Sequence, residues 1–163
     1  MKQTVRLHNI LLPIWLLWIF PQVWLIVIPG NLIIDCLVLF LCLLALRCRE
    51  KGAVMKKLWW RFWLLGFAAD AVGVLWMVLG WLLYLPLGSG WENTVGHISH
   101  NPFAHPAAFL WTLIAVGLAG VCIFAFDLRA MHSCIGLSNR EKRRIALTMA
   151  VITAPWLFFI PMY

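Results

Sequence analysis

Long apolar blocks, separated by clusters of lysine and arginine, constrain this chain more than any other feature. A membrane-spanning helix needs about 20 apolar residues at about 1.5 Å of rise each, and several blocks reach or approach that length. The composition agrees, because 64% of the 163 residues are hydrophobic and only 12% are charged, whereas soluble domains are about 45 to 50% apolar. The sequence therefore predicts an all-α, polytopic integral membrane protein.

Five apolar blocks emerge when the basic residues are used as boundaries. We expect about five transmembrane helices in one transmembrane domain over residues 1–163, at about 10–28, 32–46, 62–85, 107–128 and 145–160. Pro29-Gly30-Asn31 has the composition of a tight turn and is expected to join the first two blocks. Prolines interrupt the first block, so a re-entrant segment is the alternative to a kinked crossing there.

The basic residues predict how the chain is oriented. All thirteen fall before the first block, between the second and third, or between the fourth and fifth. Because cytoplasmic loops carry the excess of lysine and arginine, we expect a cytoplasmic N-terminus, an outside C-terminus and an outside loop over residues 86–106. The expected location is the plasma membrane. Ser138-Asn139-Arg140-Glu141 matches a capping box, which predicts that the fifth helix begins in the cytoplasm.

Asp70 stands inside an apolar block, in the stretch GFAADAVG, nine residues after Arg61. That spacing is about 13 Å along a helix, close to the middle of a hydrocarbon core about 30 Å thick. A charge there costs at least about 2.5 kcal/mol, so the carboxyl group is expected to be paired, hydrated or protonated. We name Thr153 as its partner. A structural hydrogen bond and a transport or proton-coupling role both remain open.

Small residues share the helical face of Asp70, at a spacing of three or four. Such residues let a neighbouring helix approach closely, so this face is expected to contact protein. A similar face on the fourth helix carries a further glycine. The glycines expected at helix contacts are Gly66, Gly73, Gly80 and Gly120.

Two further acids lie nearer the ends of their blocks. Asp35 follows the expected turn at residues 29–31, and Gln22 lies at a similar depth on the other arm of that hairpin, so the amide is expected to donate to the carboxylate. These two residues join Asp70 and Thr153 in the candidate transport or proton site. Asp127 is interpreted as an interfacial ion pair with Arg129.

The outside loop holds three of the five histidines. His97, His100 and His105, with Glu92, carry nitrogen and oxygen atoms of the kind that bind zinc or copper. Their spacing matches no specific metal motif, so a structured loop in which Pro106 opens the fourth helix is the main alternative, and contact with a partner is another.

The sequence lacks the motifs that are typical of several classes of function. The chain has no Gly-rich phosphate loop, no HExxH and no GxSxG, so no cofactor is expected. None of the five cysteines falls in an outside segment, and no CxxC occurs. The basic runs flank apolar blocks, so anionic lipid headgroups rather than nucleic acid are the expected partner.

Three classes of function remain. The first, which we favour, is a channel or transporter, or a subunit of one, with an intramembrane carboxylate site; it is expected to form a homo-oligomer because five helices leave little room for a pathway. The second is an accessory or assembly protein that binds a larger membrane partner through its glycine faces. The third is a membrane enzyme that uses the outside histidines, and an enzyme is the less favoured reading.

Overall fold

The computed structural model describes residues 21–134 and 136–161, and these residues fold into six α-helices. The helices are α1 (Pro21–Ala45), α2 (Lys51–Leu82), α3 (Tyr84–Leu87), α4 (Ser89–His100), α5 (Pro106–Ala130) and α6 (Asn139–Ile152). Short 3-10 turns cover Pro102–Ala104, Met131–Ser133 and Trp156–Phe159. Three of the helices, α1, α2 and α5, are long and apolar enough to cross a membrane.

The long helices run in alternating directions. α2 packs mainly against α5 and also against α1, and α6 packs against α5 and α1. One end of the bundle holds the links from α1 to α2 and from α5 to α6, together with every lysine and arginine of the described residues; we call it the basic end. The opposite end, which we call the cap end, carries α3 and α4.

The turn predicted at residues 29–31 is wrong, because α1 continues through it with Pro29 inside the helix. Trp63 of α2 donates a 3.2 Å hydrogen bond to the carbonyl oxygen of Ile28, next to the proline. A turn in hydrocarbon would expose backbone groups that lipid cannot satisfy, whereas a proline costs one helical bond. Residues 21–28 and 32–45 are therefore one helix. Residues 10–20, Lys2 and Arg6 lie outside the described residues.

Two other predicted segments also differ from the structure. α2 begins at Lys51 rather than near Phe62, so the basic stretch before the third block is helical. The predicted outside loop is mostly helical as well, since α4 and the turn at Pro102–Ala104 occupy it. The fourth predicted helix is found with Pro106 in its first turn, as expected.

The fifth predicted span differs most in length. α6 ends at Ile152, and its 14 residues correspond to about 21 Å, less than a hydrocarbon core of about 30 Å. Pro155 lies between α6 and the 3-10 turn at Trp156–Phe159. A proline has no N–H with which to continue a helix. The capping box is confirmed: the Ser138 hydroxyl accepts from the Glu141 N–H, and the Glu141 carboxylate accepts from the Ser138 N–H.

Candidate functional site

Asp70 lies in the middle of α2 and faces the other helices. Its side chain is 8% exposed. The Asn31 amide of α1 donates a long hydrogen bond of 3.5 Å to Asp70 Oδ2, and Oδ1 has no hydrogen-bond partner. The prediction that Asp70 faces protein is therefore confirmed, and its partner comes from α1.

Asp35 lies one turn further along α1 than Asn31 and is 3% exposed. Its Oδ2 atom has no hydrogen-bond partner. This atom points at Gly66 of α2, where a Cβ would stand 3.4 Å away. The missing side chain of Gly66 thus gives α1 and α2 room to place an acid between them.

Asp127, near the end of α5, differs from its sequence interpretation. It is 2% exposed, and its Oδ2 atom has no hydrogen-bond partner, whereas Arg129 is exposed. No ion pair joins the two side chains in the described part of the chain. The interpretation as an interfacial ion pair is wrong because residue 127 faces the bundle and residue 129 faces away from it.

Three buried acids lie on helices that pack against α2 or belong to it. The carboxyl group of Asp35 faces Gly66, one turn along α2 from Asp70, and Asp127 lies on α5, which packs against α2. We call Asp70, Asp35 and Asp127 the acid row. Within residues 21–134 and 136–161, no three His, Cys, Asp or Glu side chains converge closely enough to hold a metal ion, so the acids of the row are spread out rather than gathered around one point.

Two predicted members of the site do not join the acid row. The Thr153 hydroxyl donates to the Met149 carbonyl oxygen of its own helix at 2.9 Å, so the predicted bond to Asp70 is not formed. Gln22 and Asp35 lie on one continuous helix, about 20 Å apart along its axis, so they cannot pair across a hairpin. The side chain of Gln22 lies outside the described part of the chain.

The four glycines expected at helix contacts each face another segment of the same chain. Gly66 faces Asp35, and a Cβ at Gly120 would lie 3.5 Å from the Ala150 carbonyl oxygen of α6. A Cβ at Gly73 would stand 3.3 Å from the Ala115 carbonyl oxygen, and one at Gly80 only 2.8 Å from Trp111 Nε1. These four positions are thus used for contacts within the bundle.

Three tryptophans join α2, α4 and α5 near the cap end, and we call Trp76, Trp91 and Trp111 the Trp lock. The Trp76 and Trp111 rings stack at 4.6 Å, and each indole donates to the other residue's carbonyl oxygen, at 3.2 and 3.3 Å. Trp91 donates to the Gly80 carbonyl oxygen at 2.8 Å and meets Trp111 edge-on. The Trp lock fixes the distance between α2 and α5.

The histidines of the predicted outside loop lie on and beside α4. Glu92, His97 and His100 line an open groove on that helix. The His97 and His105 rings stack with centroids 5.6 Å apart and planes 3° apart. The absence of a converging group of three ligands in the described residues applies here too, so the predicted metal set is not assembled in this structure.

Comparisons with known proteins give no precedent for this arrangement. No protein-family model matches the sequence, and no curated protein or solved structure matches it either.

Proposed function

We propose that this chain is a small membrane transport protein, or a subunit of one, that moves protons through the membrane by way of Asp70 and Asp35. One observation carries the proposal: both side chains are buried between helices that can cross a membrane, and each keeps a carboxyl oxygen without a hydrogen-bond partner. Ionisable groups inside membrane segments are costly and usually mark ion or proton pathways.

The proton is the species that this geometry favours. A carboxyl group carries a proton on a single oxygen, whereas a divalent metal ion requires several oxygen ligands around one point. The acids are spread along the helices, and the Asn31 amide donates to only one oxygen of Asp70. A structural carboxyl group would be expected to use both of its oxygens, because unpartnered polar atoms are costly in an apolar surrounding.

The orientation and assembly of the protein are part of the same proposal. Following the positive-inside rule, the basic end faces the cytoplasm, and anionic lipid headgroups contact the lysines and arginines there. Since three long helices enclose little space, a homo-oligomer supplies the rest of the pathway, and the plasma membrane is the membrane expected.

Proton flux into liposomes tests the proposal directly. The purified full chain is reconstituted with a pH-sensitive dye inside, and a potassium gradient with valinomycin sets the membrane potential. We expect flux well above that of empty liposomes, and at least a tenfold reduction in both Asp70→Asn and Asp35→Asn, because asparagine keeps the shape but cannot release a proton. Glu92→Gln, which changes an exposed acid on α4, should leave the flux unchanged.

Two results would contradict the proposal. One is wild-type flux no faster than that of empty liposomes. The other is full flux in Asp70→Asn and Asp35→Asn, which would make these acids structural.

A further inference from the structure

The helix register places the three carboxyl groups at different depths. On α1 and α2, Asn31 lies opposite Asp70, and Asp35 lies opposite Gly66. Gly66 precedes Asp70 by one turn of α2, so the Asp35 carboxyl group that faces Gly66 lies one turn from Asp70. Asp35 is therefore about 6 Å closer to the basic end than Asp70, at about 1.5 Å of rise per residue.

The register of α2 against α5 places Asp127 in the same series. Trp76 lies opposite Trp111, and Gly73 lies against Ala115 and Ala119. Extended along both helices, this register brings Asp127 level with the part of α2 around Phe62, about one turn closer to the basic end than Gly66. The order toward the basic end is therefore Asp70, Asp35, Asp127.

A second observation concerns the unpartnered oxygen atoms of the three acids. Each acid of the row is more than nine-tenths buried and keeps one oxygen without a hydrogen-bond partner. The free oxygen of Asp35 faces the gap left by Gly66. Buried polar atoms without partners call for a specific explanation, and an oxygen kept open to receive a proton provides one.

We infer that Asp127 exchanges a proton with Asp35 and so carries the proton from the middle of the bundle to its basic end, an inference that rests on the proposed function. In the transfer, the O–H bond of a neutral Asp35 breaks and a new one forms on an oxygen of an ionised Asp127, directly or over a water molecule. Asp35 becomes the carboxylate, and Asp127 then releases the proton to water at the basic end. A proton passed from Asp70 to the Asp35 carboxylate returns Asp35 to its neutral form.

The flux assay tests this step with variants matched in position. We expect Asp127→Asn to reduce proton flux at least tenfold and Asp127→Glu to restore a substantial part of it. Thr112→Val is the control, because Thr112 is fully buried on the same helix, has an unpartnered hydroxyl and lies outside the acid row. It should conduct as wild type does.

Infrared spectroscopy provides a second measurement that does not depend on flux. The carboxyl C=O band of Asp35 in the purified full chain is identified by its loss in Asp35→Asn. We expect this band to shift in Asp127→Asn and to stay in place in Thr112→Val, because the proposed proton exchange with Asp35 involves Asp127 and not Thr112.

Each outcome separates the inference from the proposed function. Wild-type flux that persists in Asp127→Asn, with an unshifted Asp35 band, overturns the inference and leaves the proposed function standing. A wild-type protein without flux removes the proposed function, and the Asp35 band then decides whether the two acids exchange a proton: a shift supports the exchange, and an unmoved band overturns it.

Discussion

The Trp lock and the acid row differ in whether their buried polar atoms have hydrogen-bond partners. Toward the cap end, every indole N–H of the Trp lock donates to a backbone carbonyl oxygen, at 2.8 to 3.3 Å. Further toward the basic end, each carboxyl group of the acid row keeps an oxygen without a partner. The same two helices, α2 and α5, contribute to both regions.

This difference distinguishes side chains that stabilise the fold from side chains that the fold holds at a cost in stability. A satisfied buried hydrogen bond contributes about 1 kcal/mol, whereas leaving a buried polar atom unpaired costs about 1 to 3 kcal/mol. The hydrogen bonds of the Trp lock therefore stabilise the contact between α2 and α5, whereas the unpartnered oxygens of the acid row reduce the stability of the bundle. Four predictions test the contrast, in order of decreasing expected effect, all measured as unfolding of the full chain in detergent.

The same substitution at two glycines should have unequal effects. Gly80→Ala is expected to destabilise the protein by about 2 kcal/mol, because its Cβ would stand 2.8 Å from an indole held by the Trp lock. Gly66→Ala should be close to neutral, since its Cβ meets Asp35 at an ordinary 3.4 Å and alanine gains helix propensity of about 1 kcal/mol. Gly117→Ala, with open space around it, is the control. Equal losses at Gly80 and Gly66 would remove the contrast.

Removing a single donor from the Trp lock should also destabilise the protein. Trp76→Phe keeps an aromatic ring but loses the N–H that reaches the Trp111 carbonyl oxygen, so we expect a loss of about 1.5 kcal/mol. Trp59→Phe, at an exposed position on α2, is the matched control and should change little. A Trp76→Phe variant as stable as wild type would show that stacking alone holds the helices.

In the acid row, an apolar replacement should act in the opposite direction. Asp127→Val exchanges a buried, partly unpaired carboxyl group for a side chain of similar size, and we expect stability to rise by about 1 kcal/mol, as when buried charged groups are replaced by apolar ones. Proton flux should fall in the same variant. A clear loss of stability would mean that Asp127 has a structural role and would weaken the contrast between the acid row and the Trp lock.

The smallest effect concerns an acid that is fully partnered, at the start of α6. The Ser138 hydroxyl and backbone N–H hold the pKa of Glu141 below its ordinary value of 4.5. Because the folded-state pKa is the lower one, this contribution to stability is present above pH 4.5 and is lost as the pH falls through the folded-state pKa. Glu141→Gln and Ser138→Ala should both reduce the loss of stability on acidification. An unchanged pH profile in both variants would contradict the prediction.

The sequence predicts the helical class of the fold and the burial of Asp70 better than the path of the chain. Apolar length and Pro106 place α5 correctly, because both signals are local. Pro29-Gly30-Asn31 misleads for the same reason: its turn composition is local, whereas the requirement that lipid places on the backbone is not. The protein-facing side of Asp70 follows from counting residues along one helix.

Partners across helices could not be predicted in this way. Asn31, rather than Thr153, reaches Asp70, and Asp127 faces the bundle beside an exposed Arg129. Both facts depend on the register between helices, which the Trp lock and the glycine contacts set. One signal was within reach: Asp127 shares a helical face with Thr112, Val116 and Ile123, and all three are buried.

The length of α2 makes its tilt depend on the thickness of the bilayer. Its 32 residues extend about 48 Å, while the part from Phe62 to Leu82 extends about 32 Å, close to the hydrocarbon thickness of an ordinary bilayer. A thinner bilayer forces such a helix to tilt. Since Asp35 of α1 meets Gly66 of α2, a tilt of α2 against α1 changes the geometry of that contact. We therefore expect the spacing between Asp35 and Asp70 to depend on bilayer thickness.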